Sequence, residues 1–257
     1  MIYYHTVRYV YDSIRQQLIY GRRIMTYVMS DLHGQYQKYL KMLDLIRFSD
    51  DDDLYILGDV VDRGCQSVEL LRDMSMRMNV FPILGNHDMT AALLLKKLCV
   101  EITEDNYDNQ LNPELLRILA AWQLDGGQST LNGFKMLSAD EREVLIEYME
   151  EFTPYEMLEV AGNKFILVHG GIPYEKRNIP LSMQAVHELI TERPDYSKRY
   201  YNNAYLVTGH TPTVNISEEH KGLIYKANGH IAIDCGAGYG MPLGCIRLDD
   251  FKEYYVD

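Results

Sequence analysis

Five clusters of polar residues follow apolar runs along the chain, and each cluster combines a glycine with aspartate, histidine or asparagine. In chain order the clusters are Asp31–Gly34, Gly58–Gly64, Gly85–Asp88, Val168–Gly171 and Thr208–Pro212. The glycines let the backbone turn sharply beside side chains that could bind a ligand. One such cluster would be a weak signal, because an aspartate after a strand is often only a helix cap. Five in succession predict one shared site.

Side chains in these clusters offer carboxylate, imidazole and amide donors together. The candidate ligands are Asp31, His33, Asp59, Asn86, His169 and His210. This mixture suits borderline divalent ions such as Mn, Fe or Zn better than it suits calcium. Six ligands exceed what one tetrahedral ion needs, so we expect a two-ion centre. Such a centre can lower the pKa of bound water and hold a phosphoryl group.

The elements that must position these residues alternate between strand and helix patterns in the first half of the chain. Predicted strands cover Thr26–Ser30, Leu54–Leu57 and Val80–Leu84, and amphipathic segments follow them, the third near Met89–Leu98. In open α/β sheets the carboxyl ends of the strands form the ligand crevice. The first three clusters are therefore expected to meet there.

Beyond these units, residues 99–152 have helical periodicity without a strand signal, which predicts a helical insertion. From there on, one helix is expected near Leu181–Thr191. The predicted strands are Met157–Val160, Lys164–Val168, Ala204–Val207, Leu223–Lys226, His230–Asp234 and Cys245–Leu248. Residues 1–24 carry four arginines and one acid. We expect them to be a basic extension, either a short amphipathic helix or a tail before a start at Met25, and residues 25–257 to form one domain.

Composition narrows the partners and the compartment. The 257 residues allow a sizeable core in a single domain, and the formal net charge of −12 argues against broad attraction to nucleic acid or anionic membrane. The four cysteines have no zinc or disulfide spacing, and no apolar run is long enough to cross a membrane. We therefore expect a cytoplasmic protein; its oligomeric state is left open.

At these clusters the sequence resembles the phosphoprotein phosphatase branch of the calcineurin-like metallophosphoesterases. The motif series GDxHG, GDxxDRG, GNH(E/D), HGG and GH is specific as a set, and only Ser30 departs from it, standing where the first motif has glycine. Small bacterial and phage-type members of lambda phosphatase character look closest, because Trp122–Thr130 and Gly236–Gly244 also resemble them. The resemblance covers residues 25–250. It implies a four-layer α/β/β/α sandwich with mixed sheets.

The resemblance also implies roles for residues that match the motifs. Asp31, His33 and Asp59 would hold one ion, with Asp59 bridging to a second ion held by Asn86, His169 and His210. Manganese is the first expectation for both ions, with iron or zinc as alternatives. The ions would activate a hydroxide.

Three further side chains would act on the substrate itself. His87, oriented by Asp62, would be the general acid that protonates the leaving group. Arg63 and Asn86 would bind the phosphate. A second phosphate-binding arginine is expected between the HGG and GH motifs, and Arg193 is the first candidate, ahead of Arg199 and Arg177.

The implied activity is hydrolysis of phosphate monoesters, with a phosphorylated protein as substrate through serine or threonine, or a small phosphoester. The alternative is a symmetrical diadenosine tetraphosphate hydrolase or another nucleotide phosphoesterase. Asp62 favours the phosphatase, since tetraphosphatases have a small residue at this position of the motif, whereas Asp88 stands where many phosphatases have glutamate. A non-catalytic binding module is a remote alternative, because no ligand of the motif set is missing.

Overall fold

The computed structural model describes residues 24–101, 103 and 112–257, and within them the chain forms two five-stranded sheets flanked by helices. The strands are β1 (Thr26–Met29), β2 (Asp53–Leu57), β3 (Val80–Ile83), β4 (Tyr155–Val160), β5 (Asn163–Val168), β6 (Ala204–Thr208), β7 (Tyr225–Ala227), β8 (His230–Ala232), β9 (Leu243–Arg247) and β10 (Lys252–Val256). The α-helices are α1 (Tyr36–Ile46), α2 (Ser67–Ser75), α3 (Asn86–Leu98), α4 (Pro113–Trp122), α5 (Gln128–Lys135), α6 (Ala139–Glu150) and α7 (Val186–Thr191).

Both sheets are mixed. The first has the order β10-β9-β1-β2-β3, in which β1, β2 and β3 are parallel and β9 runs antiparallel to β1. The second has the order β4-β5-β6-β8-β7, with β5, β6 and β8 parallel. The parallel strands of each sheet place their carboxyl ends at one edge, where the polar clusters begin.

Alternation along the strands divides the apolar residues among three cores. In β1, Tyr27 and Met29 face the helices, while Val28 packs between the sheets. In β5, Phe165 packs between the sheets, while Ile166 faces the outer layer that contains α7. Successive side chains of a strand point to opposite faces, so strands that are apolar throughout build a core on each side. Three cores between four layers confirm the α/β/β/α sandwich.

Phe165 is the test of the middle core. Its side chain is 1% exposed and its ring lies 5.4 Å from that of Tyr205 and 5.8 Å from that of Phe251. Phe165→Ala is expected to lower the free energy of unfolding by about 3–5 kcal/mol, because it leaves a cavity between the sheets. Urea denaturation measures the change. Phe165→Leu, which keeps most of the volume, should cost clearly less, and equal losses for both variants would contradict this packing.

Several elements differ from the sequence-based expectations. Helix α3 begins at Asn86 rather than near Met89, because Gly85 is its extended N-cap and the Asp88 carboxylate accepts the Gly85 N–H at 3.1 Å. The helix predicted over Leu181–Thr191 is interrupted at Gln184, whose backbone is extended and whose amide donates to the Ile179 carbonyl at 3.1 Å. Strand β10 was not predicted.

The segment predicted as a helical insertion contains α4, α5 and α6, whose buried faces join the same core as α1 and α2. The basic extension falls outside the described residues apart from its last position, so its role stays a prediction. In the part of the chain that the structure describes, no helix has the length and apolar character needed to span a membrane.

Candidate active site

The strand-end clusters converge on one pocket of about 460 Å³, lined by residues of both sheets. Six of the ten non-glycine residues with positive φ in the described chain belong to these clusters. They are Asp31 (53°), His33 (43°), Asp59 (51°), Asp62 (72°), Arg63 (63°) and His210 (61°). Left-handed backbone is unfavourable for residues with a side chain, and it persists where surrounding structure enforces it. Four of these residues, Asp31, Asp59, Arg63 and His210, line the pocket.

Asp59 lies at the centre of the candidate metal ligands. Its Oδ1 is 3.3 Å from His169 Nε2, and its Oδ2 is 3.7 Å from His33 Nε2. Asn86 Oδ1 lies 3.1 Å from the same His169 nitrogen, and His210 offers a ring nitrogen within 4.8 Å of the Asp59 and His169 donor atoms. The structure therefore brings four of the other five predicted ligands around the Asp59 carboxylate.

Asp31, the sixth, joins through the backbone of the last cluster. Its Oδ2 accepts the N–H of His210 at 3.0 Å, and the Ser30 hydroxyl lies against the same oxygen. Gly85 permits the close approach of the third cluster, since a Cβ at this position would stand 2.3 Å from the Asp59 amide nitrogen. The backbone is thus packed tightly enough to fix the donors.

Backbone carbonyls orient the imidazole rings of two of the candidate ligands. Nδ1 of His33 donates to the Val61 carbonyl at 2.9 Å, and Nδ1 of His169 donates to the Leu57 carbonyl at 2.6 Å. In each ring Nε2 then faces Asp59, and in His33 it also accepts a hydrogen bond from Arg63. Burial lowers the pKa of His33 to about 3 and that of His210 to about 4, so both are neutral at pH 7.

Buried carboxylates supply the negative charge that a cation would balance. Asp31 and Asp59 are each 2% exposed, and within the described residues neither pairs with a lysine or arginine. Burial, opposed by His169, raises the pKa of Asp31 to about 6. Burial also acts to raise the pKa of Asp59, but the charge and hydrogen bond of His169 outweigh it and hold that pKa well below its usual range.

His169 shows how the site compensates this charge. Burial alone would lower its pKa, but Asp59 raises it to about 10. A divalent ion would displace the His169 proton on binding. Buried carboxylates, imidazoles whose Nε2 lies near Asp59 and a neighbouring amide oxygen together fit divalent metal ions.

His87 lies beside this group and forms a dyad with Asp62. Nδ1 of His87 donates to Asp62 Oδ2 at 2.8 Å, which leaves Nε2 facing the pocket. Burial lowers the pKa of His87, but the Asp62 hydrogen bond and the charges of Asp59 and Asp62 outweigh it, so the net shift is upward. A histidine held this way can deliver a proton from Nε2.

Two residues of the helical segment hold Asp62 in place. Trp122 Nε1 donates to Asp62 Oδ2 at 2.8 Å, and the Thr130 hydroxyl donates to Asp62 Oδ1 at 2.7 Å. The Asp62 N–H donates in turn to the Thr130 oxygen at 2.9 Å. The carboxylate is fully buried and both its oxygens are satisfied. In the sequence, Trp122–Thr130 resembled a stretch of related phosphatases, but nothing there showed that these residues support the His87–Asp62 dyad.

Thr130→Val tests this support. The replacement keeps the side-chain shape but leaves Asp62 Oδ1 without its hydroxyl donor, and it leaves the Asp62 N–H with only the longer bond to the Ser67 hydroxyl, at 3.2 Å. It should lower the free energy of unfolding by about 1–3 kcal/mol, measured in urea through the fluorescence of Trp122, the single tryptophan. As a control, Thr191→Val removes an exposed hydroxyl bonded to its own helix and should change stability by about 0.5 kcal/mol or less. Equal effects would contradict the assignment.

Two arginines line the pocket. Arg63 donates from Nη1 to His33 Nε2 at 2.6 Å, and its other terminal nitrogen lies 3.2 Å from His87 Nε2. Tyr239 stacks on its guanidinium at 4.5 Å. Arg193, in the loop after α7, also lines the pocket, and its role as the second phosphate-binding arginine stays a prediction. The alternatives Arg177 and Arg199 bind carbonyls of their own loop, those of Tyr174 and Tyr201.

Two pocket residues were missed in the sequence. Asp234 lies two positions after the end of β8 and is 3% exposed; burial, followed by the charge of Asp31, raises its pKa well above the usual range. The strand-end rule could have found it. Asp125 also lines the pocket, from the π-helical turn Gln123–Gly127. No local pattern marks it, since its place depends on that turn.

Comparison with known proteins agrees with this geometry. A family model described as calcineurin-like phosphoesterase matches residues 24–240. A symmetrical bis(5'-nucleosyl)-tetraphosphatase of Wigglesworthia glossinidia brevipalpis is 38% identical over 98 residues, which cover 37% of this chain and 36% of that protein. The chain spans about a third to a half of the length of the curated relatives that it matches.

Solved structures share the fold. One provisionally assigned as a diadenosine tetraphosphatase has a TM-score of 0.63 at 16% identity, covering 93% of this chain and 95% of that one. A protein serine/threonine phosphatase from Saccharomyces cerevisiae has a TM-score of 0.53 at 14% identity, covering 96% and 82%. At these identities the likeness concerns the fold alone.

Proposed function

This chain belongs to the calcineurin-like phosphoesterase family, and from that premise we propose that it hydrolyses phosphate monoesters, with His87 protonating the leaving oxygen. The observation that carries the proposal is the His87–Asp62 dyad, with Nδ1 to Oδ2 at 2.8 Å. An alkoxide is a strongly basic leaving group and needs a proton as the P–O bond breaks. A nucleoside diphosphate is a much weaker base and leaves without one. An oriented acid therefore favours monoesters.

The pocket residues divide the remaining work. Arg63 and Arg193 are cations that both line the pocket, suited to binding phosphate oxygens as charge develops. Asp62, fixed by Trp122 and Thr130, keeps Nε2 of His87 aimed at the leaving oxygen. The two ions would be held by Asp31, His33, Asp59, Asn86, His169 and His210. When bound, they supply an activated water and neutralise phosphate charge.

A second candidate is symmetrical cleavage of dinucleoside tetraphosphates. The names of the curated relatives favour it, and they favour it over the phosphoprotein substrate that the sequence resemblance implies. Tyr239 is 60% exposed at the pocket wall, where it could stack on a base. A phosphorylated serine or threonine in a protein is the narrower form of our first proposal and rests on the resemblance.

Parallel assays separate the two candidates. Manganese-loaded protein is given a phosphoserine peptide, phenyl phosphate and diadenosine tetraphosphate at equal concentrations, and kcat/KM is measured for each by phosphate release or by nucleotide chromatography. Our proposal expects turnover of the two monoesters to exceed that of the nucleotide. A clear preference for diadenosine tetraphosphate, released as ADP, would overturn it in favour of the second candidate.

A further inference from the structure

Asp125 stands beside the atom of His87 that faces the leaving group. Its Oδ2 lies 3.7 Å from His87 Nε2, and its Oδ1 lies 3.9 Å from the nearer terminal nitrogen of Arg63. The side chain is 68% exposed and lines the pocket. Asp125 is not among the clustered donors that could hold an ion, which within the described residues group around Asp59.

The turn that carries Asp125 is tied to the catalytic backbone. The Arg63 N–H donates to the Gly126 carbonyl at 3.0 Å, and the Ser129 hydroxyl donates to the same oxygen at 2.9 Å. Gly126 has φ of 108°, and a Cβ there would stand 2.7 Å from the Arg63 side chain. The two ends of the turn are Trp122 and Gln128, and Trp122 is anchored to Asp62. The backbone that carries Asp125 is therefore fixed beside Arg63.

The position of Asp125 determines what its charge acts on. A leaving oxygen that takes a proton from His87 must lie about 3 Å from Nε2, so it lies within about 7 Å of the Asp125 carboxylate and the first atoms beyond it lie within about 8 Å. At that range the Asp125 carboxylate repels a negative charge on the leaving group, even at partial exposure to water. The transferred phosphoryl group is drawn to Arg63 instead. Repulsion thus falls on the leaving side of the substrate.

We propose that Asp125 determines substrate specificity by excluding leaving groups that carry negative charge, so that the preferred substrates are monoesters with neutral or cationic surroundings. Polyphosphates and phosphopeptides with acidic neighbours are disfavoured, and phosphopeptides with basic neighbours are favoured. This inference rests on the proposed function and narrows it to a substrate class.

Three phosphoserine peptides that differ only in having lysine, alanine or glutamate on both sides of the phosphoserine test it. In the manganese-loaded protein the lysine peptide should exceed the glutamate peptide in kcat/KM by about tenfold. Asp125→Asn should reduce this ratio to near one, and sodium chloride should reduce it in the unmodified protein. Because all three peptides carry the same phosphate, the ratio cancels any general effect of the substitution on phosphate binding.

A matched control is Asp50→Asn, which removes an equal charge from an exposed turn before β2, at the opposite end of that strand from the pocket. Its ratio should equal that of the unmodified protein. A charge preference that persists in Asp125→Asn, or none in the unmodified protein, would overturn the inference while leaving the monoesterase function in place. Cleavage of diadenosine tetraphosphate without turnover of any peptide would overturn both.

Discussion

Asp59→Asn is expected to lower kcat/KM by about 10³-fold or more, because the carboxylate lies between both halves of the candidate ligand set. Its two oxygens face His33 and His169, at 3.7 and 3.3 Å. The amide keeps the shape but removes the charge and one anionic donor. Metal analysis of the purified variant should find fewer than two ions per chain.

Asp52→Asn is the matched control for this result. Asp52 is also a buried aspartate, 5% exposed, but it binds the Ser49 N–H and hydroxyl at the far end of β2. It should keep two ions and full activity after correction for the folded fraction. Loss of activity in Asp59→Asn with both ions retained would show that Asp59 is not a ligand.

His87→Asn is expected to act in proportion to the basicity of the leaving group. For a phosphoserine peptide kcat should fall by about 10²–10⁴-fold, the usual contribution of a positioned acid. For an activated aryl phosphate the fall should be far smaller, because a phenolate with electron-withdrawing groups departs unprotonated. Plotting log kcat against leaving-group pKa gives a steeper negative slope for the variant than for the unmodified protein.

His187→Asn provides the control, since His187 is exposed on α7. Its slope should match that of the unmodified protein. Parallel lines for His87→Asn and the unmodified protein would remove the acid role. Retained metal content in His87→Asn separates this result from a damaged ion centre.

The sequence predicted the donors of the site well because a simple rule governs them. A polar residue within three positions of the end of a parallel strand lies near the sheet edge, and Asp31, Asp59 and Asn86 all follow that rule. Asp234 obeys it too and was overlooked. The bond from Trp122 to Asp62 was beyond reach, because sixty positions of chain separate the two residues and no local periodicity encodes such a contact.

Boundaries and irregular turns were predicted less well for the same reason. The acid Asp88 caps α3 at Gly85 and starts the helix three residues before the apolar pattern begins. The π-helical turn that presents Asp125 depends on the packing of Trp122 and on the positive φ of Gly126. A glycine in the sequence does not by itself specify such a turn. Consequently the grouping of the candidate ligands could be predicted from sequence, whereas the residue that we assign to specificity required the structure.

The candidate ligands come from both sheets, and this has a consequence for the stability of the protein. Asp31, Asp59 and Asn86 follow strands of the first sheet, while His169 and His210 follow strands of the second, and apolar packing joins the sheets behind them. Two metal ions bound by both sets of ligands would link the first sheet to the second. Its binding free energy would add to the stability of the folded state. The availability of metal would then govern how long the protein stays folded as well as its catalytic rate.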